Sequence, residues 1–291
     1  MEQDVKTSVK HISDKYNADI FLFSGSLTFQ ADDALINTVE NRPNKKSNVI
    51  LFLQTLGGVP DIGYRIARYL KQEYTKVYYA IGGLCKSTGT LMSISADSLI
   101  MGKRGEFGPL DIQIAKKDEV GELASGLNIF QALEFLDEQA RSIVANTFVE
   151  LRNGAGLSTK QAFDVAERVA TNSLSSIYAQ IEPVRLGEFK RAMQIAEQYG
   201  SKLDSGNLKN GALNKLISTY PSHGYVIDRI ESRELFNKVE DASVEFELLM
   251  STMRNNLNIN ELYCRDLISD FIPDDNLENE DINNARQSDE P

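Results

Sequence analysis

Apolar and polar positions follow two alternating periodicities over the first third of the chain. Short runs rich in β-branched and aromatic residues predict four buried strands, at residues 19–23, 47–54, 76–81 and 98–101. Pro60 stands at a first-turn position before Ile62, Ile66 and Leu70, whose four-residue spacing predicts an amphipathic helix. Strands that alternate with helices pair in parallel through right-handed crossovers, so the pattern predicts an α/β fold.

A helical pattern replaces this alternation after residue 111. Apolar positions at helical spacing predict three helices there, over residues 129–154, around 165–169 and from 186 towards 200. The α/β rhythm returns over residues 225–239, and Val244, Phe246, Leu249 and Met253 then predict one closing helix. We interpret the helical part as an insertion into the α/β fold.

These patterns divide the chain into five parts. They are an N-terminal segment (1–17), an α/β core (18–120), a helical insertion (121–205), a return to the core with the closing helix (206–272) and a tail (273–291). The tail carries seven acidic residues against Arg286 and few apolar ones. Such a segment cannot offset the entropy lost on ordering, so we expect a disordered, solubilising tail.

Composition narrows the class of protein. The 291 residues include 31 basic and 42 acidic ones, a net charge of -11, and no Lys/Arg cluster, which disfavours nucleic-acid partners. No apolar run reaches the roughly 18 residues of a spanning helix or resembles a secretory signal, so no membrane association is expected. Cys85 and Cys264 are the only cysteines and lie far apart, which is typical of a reduced cytoplasmic protein.

Two junctions between a strand and a helix could carry chemistry. Gly57-Gly58 follows the second predicted strand, where paired glycines could expose N–H groups to an oxyanion. Ser87 follows the third strand and precedes an apolar helical stretch, a position that suits a nucleophile. Taken singly, each has a simpler explanation: a tight turn for the glycines and a helix N-cap for the serine. Beside the serine, Cys85 is expected in the core and Lys86 in solvent.

The order of the motifs is more specific than any one of them. Four follow in sequence: Gly57-Gly58, Lys86-Ser87-Thr88-Gly89, Ala96-Asp97 and Gly108-Pro109-Leu110-Asp111. In this order the chain resembles the Clp protease and crotonase superfamily, and more closely the serine dehydrogenase proteinase family, which is related to signal peptide peptidase. The resemblance spans residues 19–113, with a weaker echo at 220–239. Leu56 and Ile112 depart from it, since the family has proline at both positions.

The resemblance implies a fold and a set of roles. The fold is a Clp/crotonase-like repeated ββα spiral with a helical insertion. Ser87 takes the nucleophile position, and the N–H groups of Gly58 and Thr88 take the oxyanion hole. His223 precedes a segment resembling the one after the triad aspartate of Clp peptidases, whose histidine falls near Asp111 here. The two roles are therefore exchanged in this interpretation, with His223 as the base and Asp111 as its partner.

Other assignments of the base stay open. His223 could simply hydrogen-bond its own turn, and His11 lies in a polar N-terminal segment where it is expected to be solvated. Signal peptide peptidases use a lysine base, for which Lys116 and Lys117 are the candidates, although both lie in a polar stretch. Cys85 is a weaker candidate for the nucleophile than the serine.

The resemblance predicts a cytoplasmic serine peptidase that hydrolyses peptide bonds through an acyl-enzyme on Ser87, without a metal or another cofactor. Any ATP-driven unfolding of protein substrates would need a separate ATPase partner. The alternative is a catalytically inactive scaffold of the same fold; a third candidate, a crotonase-type acyl-CoA enzyme, has no nucleotide-binding pattern to support it. Homo-oligomers are expected, because apolar residues occupy over half the circumference of the long helix and the related peptidases assemble into rings.

Overall fold

The computed structural model describes residues 2–110, 113–115 and 123–272. Its strands are β1 (Ala18–Ser24), β2 (Asn48–Gln54), β3 (Lys76–Ile81), β4 (Leu84–Cys85), β5 (Ser98–Met101), β6 (Glu106–Phe107), β7 (Gln113–Ala115), β8 (Leu123–Ser125), β9 (Val239–Asp241) and β10 (Tyr263–Asp266). Its helices are α1 (Glu2–Tyr16), α2 (Phe29–Glu40), α3 (Pro60–Glu73), α4 (Thr88–Ser93), α5 (Gly126–Val149), α6 (Thr159–Tyr178), α7 (Pro183–Leu203), α8 (Ala212–Asn214), α9 (Arg229–Leu235), α10 (Val244–Asn256) and α11 (Leu267–Phe271). The predicted acidic tail, Asp111, Lys116 and Lys117 lie outside the described residues.

A six-stranded sheet confirms the α/β class. Its order is β10-β1-β2-β3-β5-β9, and every neighbouring pair is parallel except β10 with β1. One row of the register runs through Phe21, Leu51, Tyr79, Leu99 and Val239. The four strands predicted from apolar runs are β1, β2, β3 and β5, which form the centre of this sheet.

The central strands are buried on both faces, which explains why they read as continuous apolar runs. All seven residues of β1 are buried, and helices cover the sheet on either side. On one face Phe52 stacks on Phe246 of α10, with ring centroids 5.6 Å apart. On the other face the alternate strand residues meet the apolar sides of α2 and α3, including the fully buried Leu35 and Ile66.

Two elements that the hydrophobic pattern did not predict complete this core. The N-terminal segment is the helix α1, and its Val5, Val9 and Ile12 belong to the same buried cluster as Phe246. The strand β10 adds an antiparallel edge to β1, with Phe23 opposite Cys264. Both elements pack onto the sheet through few residues, which is why their sequence signal is weak.

A second series of pairings continues the chain beyond the ends of the main strands. Its members are Leu27 with Gly58, Thr55 with Cys85, strand β4 with β6, and Phe107 with Ile227. The first three pairings each link the segment after one main-sheet strand to the segment after the next, and the fourth links the end of β6 to the segment before α9. Among the described residues, the predicted candidates Gly58, Ser87, Thr88 and His223 lie on or beside these segments.

The chain divides into two compact units, Met1–Leu110 with Ile195–Pro291, and Asp111–Gln194. Within the second unit, β7 and β8 form an antiparallel hairpin, and a π-helical turn at Glu150–Gly154 extends α5. A capping box between Ser158 and Gln161 starts α6, which buries a stripe of small residues against its neighbours. None of the described helices is both long enough and apolar enough to span a membrane.

Candidate active site

Two segments run side by side where β2 and β4 end. The N–H of Thr55 donates to the carbonyl of Leu84 at 2.8 Å, and the N–H of Lys86 donates to the carbonyl of Thr55 at 2.9 Å. These two hydrogen bonds align the segments, so Gly57-Gly58 and Ser87 lie at the same end of the parallel strands. The carboxyl ends of parallel strands are where sites in α/β folds gather.

Ser87 occupies a strained turn between β4 and α4. Its backbone has φ 50° and ψ -112°, and among the described residues only Asn17 and Asn44 share a positive φ with a side chain. Backbone strain of this kind costs energy and clusters at functional sites. The Ser87 side chain makes no capping hydrogen bond to α4 and is half-buried. Helix capping, the simpler explanation for this serine, is therefore not what its hydroxyl does.

Gly57 packs against Ser87 as closely as a residue without a side chain allows. A Cβ on Gly57 would lie 2.9 Å from Cβ of Ser87 and 3.4 Å from its Oγ, and the glycine φ of 112° disfavours any side chain. Glycine is thus required here for two independent reasons, the backbone angle and the approach of the serine.

Gly58 is held between two neighbours. The bridge to Leu27 uses the carbonyl of Gly57 and the N–H of Val59, each at 2.9 Å, so the polar groups of Gly58 face away from it. On that other side Thr88 Oγ1 donates to the Gly58 carbonyl at 2.8 Å. Among the described residues, neither the N–H of Gly58 nor that of Thr88 has a hydrogen-bond acceptor. Two unused donors thus lie on segments adjoining Ser87.

Lys86 is buried, and the expectation that it is solvated was wrong. Its Nζ forms an ion pair with Glu106 Oε1 at 2.7 Å and donates to the carbonyls of Phe107 at 3.0 Å and Tyr225 at 3.4 Å. Neighbouring Gly108 leaves room for this path, since a Cβ there would lie 2.8 Å from Cδ of Lys86. An ammonium group is tolerated inside a protein when it is paired and hydrogen-bonded in this way.

His223 lies in a turn next to Lys86. The N–H of Tyr225 donates to the carbonyl of Ser222 at 3.1 Å to close the turn, and the half-buried His223 sits at its centre. Reciprocal hydrogen bonds between Phe107 and Ile227, at 2.9 and 3.1 Å, fix the segment that follows. The structure therefore brings the His223 segment beside the residue that precedes Ser87.

Of the remaining sequence candidates, the structure describes His11 and Cys85. His11 is on α1, 58% exposed, with Nδ1 3.1 Å from Glu245 Oε1. Cys85 is fully buried, and burial raises the pKa of its thiol to about 12, which keeps the sulfur neutral and unreactive. Asp111, Lys116 and Lys117 are outside the described residues.

The chain was compared with protein families, curated proteins and solved structures. No protein family and no curated protein matches the chain. Solved structures do match, among them a mutant of the 1510-N membrane-bound stomatin-specific protease, with 14% sequence identity and a TM-score of 0.33. That similarity covers 50% of this chain and 68% of the other. A likeness this distant does not establish a shared activity.

Proposed function

We propose that this protein is a serine peptidase with Ser87 as its nucleophile. The observation that carries the proposal is the strained backbone of Ser87 at a strand-to-helix turn, packed against Gly57-Gly58 with its hydroxyl unused by the helix. A strained strand-to-helix turn that presents a serine is how the α/β-hydrolases expose their nucleophile. The substrate class is a peptide or protein, and no metal or other cofactor takes part.

The proposed reaction begins with attack of Ser87 Oγ on a peptide carbonyl carbon. His223, oriented by Asp111, accepts the hydroxyl proton and then donates it to the leaving amine, which leaves an acyl-enzyme on the serine. A water molecule, deprotonated by the same base, releases the acid and restores the hydroxyl. Lys116 or Lys117 is the alternative base.

Gly58 and Thr88 supply the proposed oxyanion hole. Their N–H groups have no acceptor among the described residues, and the Thr88 side chain ties the two segments together at 2.8 Å. Donors fixed in this way stabilise the charge that develops on the carbonyl oxygen without reorganising during the reaction.

The repeated ββα spiral of the Clp and crotonase superfamily is the proposed fold. Its support is the second series of pairings, in which the segment following one strand pairs with the segment following another, from Leu27 through Thr55 and Cys85 to Phe107.

The two cysteines are unpaired, with Cys85 buried, and this is why we propose a reducing, cytoplasmic setting.

Covalent labelling with a fluorophosphonate serine probe tests the function. We expect the wild type and the control Ser222→Ala to be labelled, because Ser222 is exposed and outside the proposed chemistry. Ser87→Ala should show neither labelling nor hydrolysis of a fluorogenic peptide while keeping its circular dichroism spectrum. A folded wild type that never labels would refute the peptidase and favour the inactive scaffold.

We also propose that the chain forms homo-oligomers through the helical unit. Four large apolar side chains of this unit are strongly exposed: Phe135 at 58%, Val149 at 52%, Phe163 at 52% and Val184 at 67%. Leu133, Leu136, Ile177, Ile181 and Leu186 line a largely apolar cavity of about 410 Å³ in the same unit. The proposed partner of the four exposed side chains is a second copy of the chain, since exposed apolar patches mark interaction sites.

A further inference from the structure

Lys86 connects three parts of the candidate site. It directly precedes Ser87, its Nζ contacts Glu106 and Phe107 of β6, and it reaches the carbonyl of Tyr225, two residues beyond His223. The side chains of Lys86 and Glu106 are only 11% and 24% exposed. Apart from these contacts, the described structure joins β6 to the His223 segment through the Phe107–Ile227 bridge.

The contacts of Lys86 are those of an ammonium donor. Nζ has three N–H groups and three acceptors within 3.4 Å, one of them a carboxylate at 2.7 Å. A lysine that acts as a base must instead be neutral and offer its lone pair. Lys86 therefore does not compete with His223 for the role of base, although it is next to the serine.

Resting on the proposed function, we infer that Lys86 is a positioning residue that holds the His223 turn in register with Ser87. The serine turn is covalently fixed to the lysine backbone, and the turn of His223 is fixed to the lysine head group through Tyr225. Glu106 holds that head group in place and balances its charge. Acid–base catalysis requires the base within hydrogen-bond reach of the serine, so a shift of the turn by about 1 Å costs activity on the order of 100-fold.

The first test is kinetic and uses Lys86→Met, which keeps the length and the apolar stem but removes the ammonium group. We expect kcat and the rate of fluorophosphonate labelling to fall by about 100-fold while KM changes less than about threefold. Lys86→Arg, which restores a cation, should recover part of the loss. The matched control Lys103→Met, at an exposed lysine near the end of β5, should behave as wild type.

Where Lys86→Met does not fold, Glu106→Gln replaces it, because the amide keeps a hydrogen bond to Lys86 and removes only the charge. A loss of about tenfold in kcat at constant KM is then expected. A folded Lys86→Met or Glu106→Gln variant with wild-type kcat would overturn the inference.

The second test does not depend on activity. In the Ser87→Ala background, adding Lys86→Met should raise amide hydrogen exchange over residues 222–227 at least tenfold and leave β1 and β2 unchanged. Unchanged exchange over residues 222–227 overturns the inference, even if the wild-type protein is an active peptidase. Conversely, faster exchange in a protein that never labels with the probe would uphold the role of Lys86 in holding the turn and reject only the peptidase.

Discussion

Ser87 has a strained backbone conformation that its neighbours must hold in place. Its φ of 50° with ψ -112° lies outside the ordinary left-handed region, so any residue with a Cβ is strained there. The ladder at Thr55 and the glycine at position 57 hold the backbone in place. A serine needed only to cap α4 would have no reason to adopt this geometry.

Relief of this strain can be measured with two inactive variants. Ser87→Gly removes the Cβ and the strain, whereas Ser87→Ala removes only the hydroxyl. We expect the glycine variant to unfold at higher urea, with a free energy of unfolding about 1 kcal/mol above that of the alanine variant. A glycine variant less stable than the alanine variant would show that removing the Cβ at position 87 relieves no backbone strain.

Cys85 provides a prediction on pH. Burial raises the pKa of its thiol to about 12, so at pH 8 the thiol is protonated in the folded state. Iodoacetamide at pH 8 should therefore leave Cys85 unmodified in the native protein and modify it fully in guanidinium, as mass spectrometry of tryptic peptides would show. Rapid native labelling of Cys85 would contradict its burial.

The raised pKa of Cys85 also makes the free energy of unfolding depend on pH. The unfolded thiol ionises near its ordinary value while the folded thiol stays protonated, so the contribution of Cys85 is complete below pH 9 and is lost between pH 9 and about 12. Cys85→Ala should accordingly flatten the decline of the free energy of unfolding over that alkaline range.

The sequence analysis expected Lys86 in solvent, whereas the structure buries it. Nothing local distinguishes a buried lysine from a solvated one, because its acceptors are the carboxylate of Glu106 and a carbonyl 139 positions away at Tyr225. Glycine and serine at strand ends, in contrast, are local signals of a turn and could be found by inspection. Contacts at long sequence separation are what a single chain cannot reveal.

At the scale of elements, the sequence predicted best where burial was most extensive. The strands β1, β2 and β5 are almost entirely buried, β3 is buried over its second half, and all four stand out as apolar runs. Helix α3 shows a clear apolar stripe. The strand β10 contains Arg265 and Asp266 and is only half-buried, so it carries no such run. Helix α1 has three core residues among fifteen, spaced four and three apart, which is a sparse stripe.

The docking of α1 can be tested with a pair of neighbouring substitutions. Val9 is fully buried in the cluster around Phe246, whereas Lys10 is exposed. Val9→Asp places a charge among apolar side chains and should lower the free energy of unfolding by about 3 kcal/mol or more, measured by urea denaturation. Lys10→Asp introduces the same side chain in solvent and should change it by less than about 0.5 kcal/mol. Equal effects of the two would show that α1 does not depend on the core.

At the scale of the whole molecule, the helical unit leaves part of its apolar surface exposed. The side of α5 that packs on α6 is only half-buried, and none of residues 131–149 is buried. Phe135 and Val149 lie on the opposite, solvent side of the same helix, and Phe163 is exposed on α6. The sequence pattern predicted that apolar residues surround more of the long helix α5 than one packing partner can cover. The described structure shows that Phe135 and Val149 are among those left exposed.

Self-association through this surface is the expected consequence. Light scattering at micromolar concentration should give a mass that is a multiple of 32.5 kDa. Phe135→Glu puts a charge at one of these exposed apolar positions, where burial against a second copy would leave it desolvated, so the assembly should dissociate to monomers. Lys10→Asp, which adds negative charge to the other unit, should leave the mass unchanged. A wild type of about 32.5 kDa would refute the oligomer, and a Phe135→Glu variant that stays assembled would place the contact on another surface.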